Sequence, residues 1–213
     1  MQSKVLDPGG DAALRASFHA TAARFLRGAA AAPRAALDFG CATGLSSLAL
    51  RRAHPSCRVT GVDLSPYFLA VGAHLQAARI ASGAEDPSVT PPFTFLHAAA
   101  EDTRLPGASF DLVSMCLVAH ELPQAATRAI IAEAHRLLRP GGALQIMEMD
   151  PRSPILARVR ANPFAFTAFA STEPYLEQYL TLPLERALVD AGFEAPAQAA
   201  NSPRHRTVVA HKL

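Results

Sequence analysis

Ala36-Leu37-Asp38-Phe39-Gly40-Cys41-Ala42-Thr43-Gly44, followed by Val59-Thr60-Gly61-Val62-Asp63, decides how this chain is read. A short apolar run ends in an acid and a glycine-bearing turn. A helix-like segment follows, and a second apolar run ends in another acid. That order predicts a strand–loop–helix–strand unit with a nucleoside-sized site at the strand ends. Gly40 and Gly44 permit a tight turn and close approach to a ligand, because neither carries a Cβ. Asp63 lies 19 residues beyond Gly44, where a carboxylate can hold the two hydroxyls of a ribose.

Outward from this unit, strands and helices alternate. Ala12 to Arg27 reads as an amphipathic helix with Leu14, Phe18 and Phe25 on one side, a capping helix within residues 1–30. The first strand is Ala35–Phe39, a helix runs from Leu45 to His54 and stops at Pro55, and Arg58–Asp63 is the second strand. Ser65-Pro66 opens a helix to about Ser82, as a cap followed by proline at the first helical position. Phe93–His97 and Phe110–Met115 are further strands. Thr127 to Leu138 has the apolar spacing of a helix, ended by Arg139-Pro140-Gly141-Gly142. Ala143–Met149 is the fifth strand and Glu173 to Ala191 the last helix. Phe193–Ala199 and Arg206–Lys212 form a closing antiparallel pair. The alternation predicts a mostly parallel sheet with helices on both faces.

With 213 residues, half of them apolar, the chain has material for one good core and one domain spanning 1–213. A net charge of +2, with arginines scattered and not interleaved with aromatics, excludes a nucleic-acid partner. Cys41, Cys57 and Cys116 form no C-x-x-C pair, and no secretory leader precedes them, which points to a reducing compartment. No apolar run reaches the ~20 residues of a membrane span. Lys4, Arg15, Arg24 and Arg27 lie among alanines as in a transit peptide, but Asp7 and Asp11 interrupt them. The terminal His211-Lys212-Leu213 lacks the small first residue of a peroxisomal address.

The loop Asp38-Phe39-Gly40-Cys41-Ala42-Thr43-Gly44 resembles the first signature of class I S-adenosylmethionine-dependent methyltransferases, acid-x-Gly-x-Gly-x-Gly, with Ala42 at the middle glycine. That departure is mild where the chain need not take positive φ, and it argues against a dinucleotide fold. Ser109-Phe110-Asp111-Leu112-Val113-Ser114-Met115 resembles the family's fourth-strand signature, and Leu137-Leu138-Arg139-Pro140-Gly141-Gly142-Ala143-Leu144 its turn into strand five. The resemblance is to the type 11-like, small-molecule group. It implies a single Rossmann-like methyltransferase domain, a seven-stranded, mostly parallel sheet with a C-terminal antiparallel hairpin, and a substrate-side cover over residues 151–180. It further implies a soluble enzyme that moves a methyl group from S-adenosyl-L-methionine to a small, partly apolar acceptor and releases S-adenosyl-L-homocysteine. Glu173-Pro174-Tyr175 and Asn201 to Arg206 resemble segments of cyanobacterial and plant-plastid proteins, so the implied compartment is cytoplasm or plastid stroma. The alternatives are a non-catalytic binding module acting through a protein partner, and an NAD(P)-dependent reductase; the latter lacks a Tyr-x-x-x-Lys pair. No G-x-S-x-G of a serine hydrolase is present.

The resemblance assigns cofactor contacts to Asp38, Gly40, Cys41, Ala42, Gly44, Asp63, Leu64, Ala100, Glu101, Cys116 and Leu117. Asp38 is placed at the methionine end, or else as a cap of the following helix. Asp63 is placed on the ribose. Ala100-Glu101-Asp102 forms the adenine corner, with Glu101 taking the amino-group role because Ala99 replaces an acid. His120 and Glu121 face the acceptor, with His120 as general base or as a packed histidine. His120-Glu121-Leu122-Pro123-Gln124 is not a zinc motif, since Gln124 replaces the second His and Pro123 breaks the helix; no metal is expected. Glu148 and Asp150 leave the fifth strand and either meet substrate or simply form a polar strand end. Phe164, Phe166, Phe169, Tyr175 and Tyr179 either line an apolar pocket or pack as plain core.

Overall fold

A computed structural model of the chain describes residues 10–88 and 91–213. In chain order the elements are α1 (Gly10–Ala22), a 3-10 turn (Gly28–Ala31), β1 (Ala35–Phe39), α2 (Leu45–Ala53), β2 (Arg58–Asp63), α3 (Pro66–Ala81), β3 (Thr94–His97) and β4 (Phe110–Cys116). A second 3-10 turn (Ala119–Glu121) is followed by α4 (Gln124–Leu137), β5 (Leu138–Met149), α5 (Pro154–Ala161), α6 (Pro163–Ala170), α7 (Leu176–Thr181), α8 (Leu184–Asp190), β6 (Ala197–Ala200) and β7 (His205–His211). Residues 1–9 of the N-terminal cap, with Lys4 and Asp7, lie outside the described residues.

The seven strands form one sheet in the order β3-β2-β1-β4-β5-β7-β6. The first five strands are parallel, and β7 runs antiparallel to both β5 and β6. Strand order reverses between β1 and β4, and ligands in such sheets sit at the carboxyl ends of the strands flanking that reversal. Every residue of β1 and β4 is buried, as befits central parallel strands covered on both sides. Alternation along the strands divides the core. Leu37, Phe39, Val113, Met115 and Leu144 pack with Ile130, Ile131, Leu137 and Leu188 of α4 and α8. Ala36, Leu112, Ala143 and Val209 pack with Leu14 and Phe18 of α1 and with Leu48 and Leu50 of α2.

The expected architecture is present, with four local corrections. α1 ends at Ala22, not Arg27, and the chain turns through Gly28–Ala31 before β1. α4 starts at Gln124 directly after Pro123 and ends at Leu137. Arg139-Pro140-Gly141-Gly142 then belongs to β5, not to a helix stop. Leu138 already pairs with Phe110, and the Lys212 ammonium donates to the carbonyls of His135 and Leu138 at 2.7 and 2.9 Å, closing the helix end from a distant element. The long final helix is two, α7 and α8, parted at Leu182-Pro183, where proline removes an N–H and disfavours helical geometry in the residue before it. The strand expected from Phe193 forms only at Ala197, while Phe193 makes an isolated bridge to Lys212.

Candidate active site at the switch point

The loop after β1 wraps one end of a cavity of about 860 Å³, within the range of small-molecule sites. Gly40 has φ +64°, and a Cβ there would stand 2.6 Å from Val118 Cγ2. Gly44 has φ +85° and lies under the rings of Phe93 and Phe95, each 3.0 Å from where a Cβ would stand. Both positions therefore require glycine for sign of φ and for space. Ala42 carries φ +46°, which corrects the expectation of a mild substitution: the loop takes positive φ at that residue, so the methyl group is strained. Leu117, after β4, is also left-handed at φ +59° and lines the same cavity.

Asp63 tethers this loop. Its Oδ2 accepts from the Ala42 N–H and its Oδ1 from the Ser65 N–H, both at 2.8 Å. The half-buried carboxylate still faces the cavity. Asp38 lies behind the lining, fully enclosed, with Oδ2 accepting from Ser46 and Ser47 hydroxyls at 2.6 and 2.7 Å. Burial raises the Asp38 pKa, the serine hydrogen bonds offset this in part, and the result is about 6. Its second oxygen, Oδ1, is sealed from solvent without a hydrogen-bond partner. So is Nε of Arg15, a residue of α1 that lines the cavity.

At the other end, His120 is 8% exposed. Its Nδ1 lies 2.9 Å from both carboxylate oxygens of the wholly buried Glu148. Its Nε2 lies 3.6 Å from Glu173 Oε2. Burial alone would lower the His120 pKa; the charge and hydrogen bond of Glu148, with Glu173 and Glu121 adding, outweigh it and push it up to about 9. Burial, with the charges of Glu121 and Glu148, raises Glu173 against the opposing pull of His120. His120, Glu121 and Glu173 bring ligand-type atoms within 4.8 Å of one another; a cation bound there would have to displace the imidazole proton that Glu148 and Glu173 favour.

Of the sequence-assigned residues, Gly40, Cys41, Ala42, Asp63, Leu64, Ala100, Glu101, Cys116, Leu117, His120 and Glu121 meet in this one cavity; Asp38 and Gly44 support it from behind. Burial pushes the Cys116 thiol up to about 12, so it contributes surface, not a nucleophile. Asp102 is off the lining and pairs with Arg104 at 3.8 Å. Two pairs of alternatives are narrowed by the structure. Glu148 and Asp150 do not line the cavity, because Glu148 points into the core at His120 and Asp150 is bonded to Arg152. Of the aromatic group only Phe169 lines it, while the Tyr179 hydroxyl donates to the Met149 carbonyl and fastens α7 to β5. Sequence reasoning missed Arg15, Glu173, Val118, Leu122 and Ile130; for Arg15 the available signal was a cation one residue beyond the apolar Leu14 of an amphipathic helix.

A doubly covered sheet with a glycine loop and ribose-type acid at its reversal defines the Rossmann-like, class I methyltransferase fold. The chain belongs to the family described as "Methyltransferase domain", whose profile matches residues 37–146, just over half of it; the family match disposes of the reductase alternative. Among curated proteins, it is 33% identical over 113 residues to carboxy-S-adenosyl-L-methionine synthase of Geobacter metallireducens, covering 52% of this chain and 43% of that protein. It is 31% identical over 120 residues to demethylmenaquinone methyltransferase of Thermus thermophilus, covering 56% and 49%. The chain thus spans less than half the length of these relatives. Among solved structures, the fold matches a SAM-dependent methyltransferase of Methanosarcina mazei at TM-score 0.60 and 20% identity, over 84% of this chain and 92% of that one. It also matches Haemonchus contortus phosphoethanolamine N-methyltransferase 2, bound to phosphomonomethylethanolamine and S-adenosylhomocysteine, at TM-score 0.63 and 17% identity, over 91% and 51%.

Proposed function

We propose that the protein transfers a methyl group from S-adenosyl-L-methionine to a small, partly apolar acceptor. One observation carries this reading: the glycine loop with Asp63 opens on the same cavity as His120, which the buried Glu148 holds from behind. Two groups suit the amino-acid end of the cofactor: Arg15, which lines the cavity, attracts a carboxylate, and the Asp38 carboxylate just behind the lining favours an ammonium through its charge. Asp63 would take the ribose hydroxyls, and Ala100 and Glu101 the adenine. The cofactor supplies a methyl group already activated by its sulfonium, so the protein need mainly align the acceptor and exclude water.

Val118, Leu122, Ile130 and Phe169 form apolar walls for the acceptor. His120 is the general base. Glu148 holds its Nδ1 proton, leaving Nε2 toward the cavity, and exposed Glu121 passes the proton to solvent. Because the imidazole pKa stands at about 9, only on the order of one molecule in a hundred carries the free base at pH 7. Turnover therefore climbs with pH up to about 9. The test is transfer of labelled methyl from the cofactor into a metabolite extract, with the pH profile taken on the acceptor found. His120→Ala should slow turnover by ~10²-fold with unchanged cofactor affinity. Tight cofactor binding with no label transfer would instead establish a binding module, and a flat pH profile would remove His120 as base.

A further inference from the structure

The exposed apolar surface beside the cavity extends beyond the residues assigned to cofactor and acceptor. Nine large apolar side chains stand open to solvent among the described residues; three line this cavity and four more lie on α3 or α6, helices that each contribute to or adjoin its lining. Leu45, Leu64 (69% exposed) and Phe68 line the cavity itself. Tyr67 (82%), Val71 and Leu75 follow on α3. Phe164 (88%) projects from α6, while Ala165, Ala168 and Phe169 of the same helix line the cavity below. α6 reads Pro-Phe-Ala-Phe-Thr-Ala-Phe-Ala and buries none of its residues. An apolar patch of this kind, rimmed by polar groups, marks an interaction site.

Charge identifies the occupant. Within residues 151–172 there is no acid; Arg152 pairs with Asp150 at 3.1 Å, which leaves Arg158 and Arg160, and the next acids are Glu173 and Glu177. Arg158 and Arg160 are exposed on α5. Residues 64–84, which build α3, likewise contain no acid. The exposed Phe164 next to Arg158 and Arg160, which make no ion pair among the described residues, matches an anionic lipid surface, where rings enter the headgroup boundary and guanidinium groups meet phosphates. A second copy fits less well, since a two-fold contact would bring two sets of Arg158 and Arg160 into one interface with no acid from α3, α5 or α6 to offset them. Among the described residues no helix is long and apolar enough to cross a membrane, so the contact is peripheral.

We propose that α3, α5 and α6 dock the protein on anionic lipid surfaces, with the cavity mouth facing the bilayer. An apolar acceptor would then pass beneath α6 without crossing water. The proposal does not depend on the methyl-transfer reading, because binding is measured without turnover.

The experiment is co-sedimentation of the full chain with vesicles of phosphatidylcholine alone and with one-third phosphatidylglycerol. Binding to the anionic vesicles is expected to exceed binding to the neutral ones by at least tenfold and to weaken as salt is raised. Arg158→Gln with Arg160→Gln should lower it roughly 30-fold, each basic residue near such a surface contributing about a factor of five. Phe164→Ser should lower it at constant charge, and circular dichroism should show both variants folded. No binding to either vesicle, or equal binding to both, overturns the proposal. Concentration-dependent dimerisation without vesicle binding assigns the face to a second copy and equally overturns it.

Discussion

Asp63 has two tasks at once. It fixes the loop through the Ala42 and Ser65 N–H groups and leaves lone pairs for a ribose diol. Asp63→Ala is expected to weaken S-adenosylhomocysteine binding by ~1.5–3 kcal/mol, the scale of hydrogen bonds to a charged group; calorimetry giving an unchanged Kd would sink the assignment. Asp38 illustrates the opposite balance. Its folded pKa is raised, so the ionised form is disfavoured by folding, and its contribution to stability is lost as pH rises through about 6. Asp38→Asn should therefore stabilise the ligand-free protein at pH 7.5 by on the order of 1–3 kcal/mol while weakening cofactor binding. Chemical denaturation with and without S-adenosylhomocysteine separates the two effects, and a variant less stable than the parent without ligand would refute the reading.

Among elements, the loops after β1 and β4 store strain where the ligand would sit, as left-handed Ala42 of the first and Leu117 of the second both line the cavity. Ala42→Gly removes ~1–2 kcal/mol of that strain and returns ~0.4–1 kcal/mol to the entropy of the unfolded chain. The expected net gain is about 0.5–1 kcal/mol, a rise in Tm of ~1–4 °C; a lower Tm would show that the methyl group packs usefully. The buried strands were legible because β1 and β4 are short apolar runs closed by punctuation, and Ser65-Pro66 announces α3 because cap and fixed φ act locally. The first turn of β5 was not, because its ladder depends on Phe110, Lys212 and the chain terminus. Arg15 and Glu173 escaped notice for the same reason: α1 and the cover meet the cavity only in three dimensions.

For the whole molecule, the His120 cluster ties stability to pH. β5 brings Glu148, the 3-10 turn brings His120, and the link between α6 and α7 brings Glu173, so three segments far apart in sequence share one proton. Its folded pKa, about 9, lies above the ordinary value of 6.5. The stabilisation is therefore fully present below pH 6.5 and lost as pH rises through 9. On the order of 2–3 kcal/mol should disappear across that window. Urea unfolding at pH 6, 7.5 and 9 measures it, and a stability that stays level from pH 6.5 to 9 would contradict the imidazolium. His120→Gln should flatten this slope while lowering stability at pH 6 by ~3–5 kcal/mol, because Glu148 is left buried without a counter-charge. Glu148→Gln in the same background should recover part of that loss, which distinguishes an unpaired carboxylate from simple loss of packing. The pH that strengthens the base for turnover is thus the pH that loosens its attachment to the core, so activity and stability should move in opposite directions between pH 6.5 and 9.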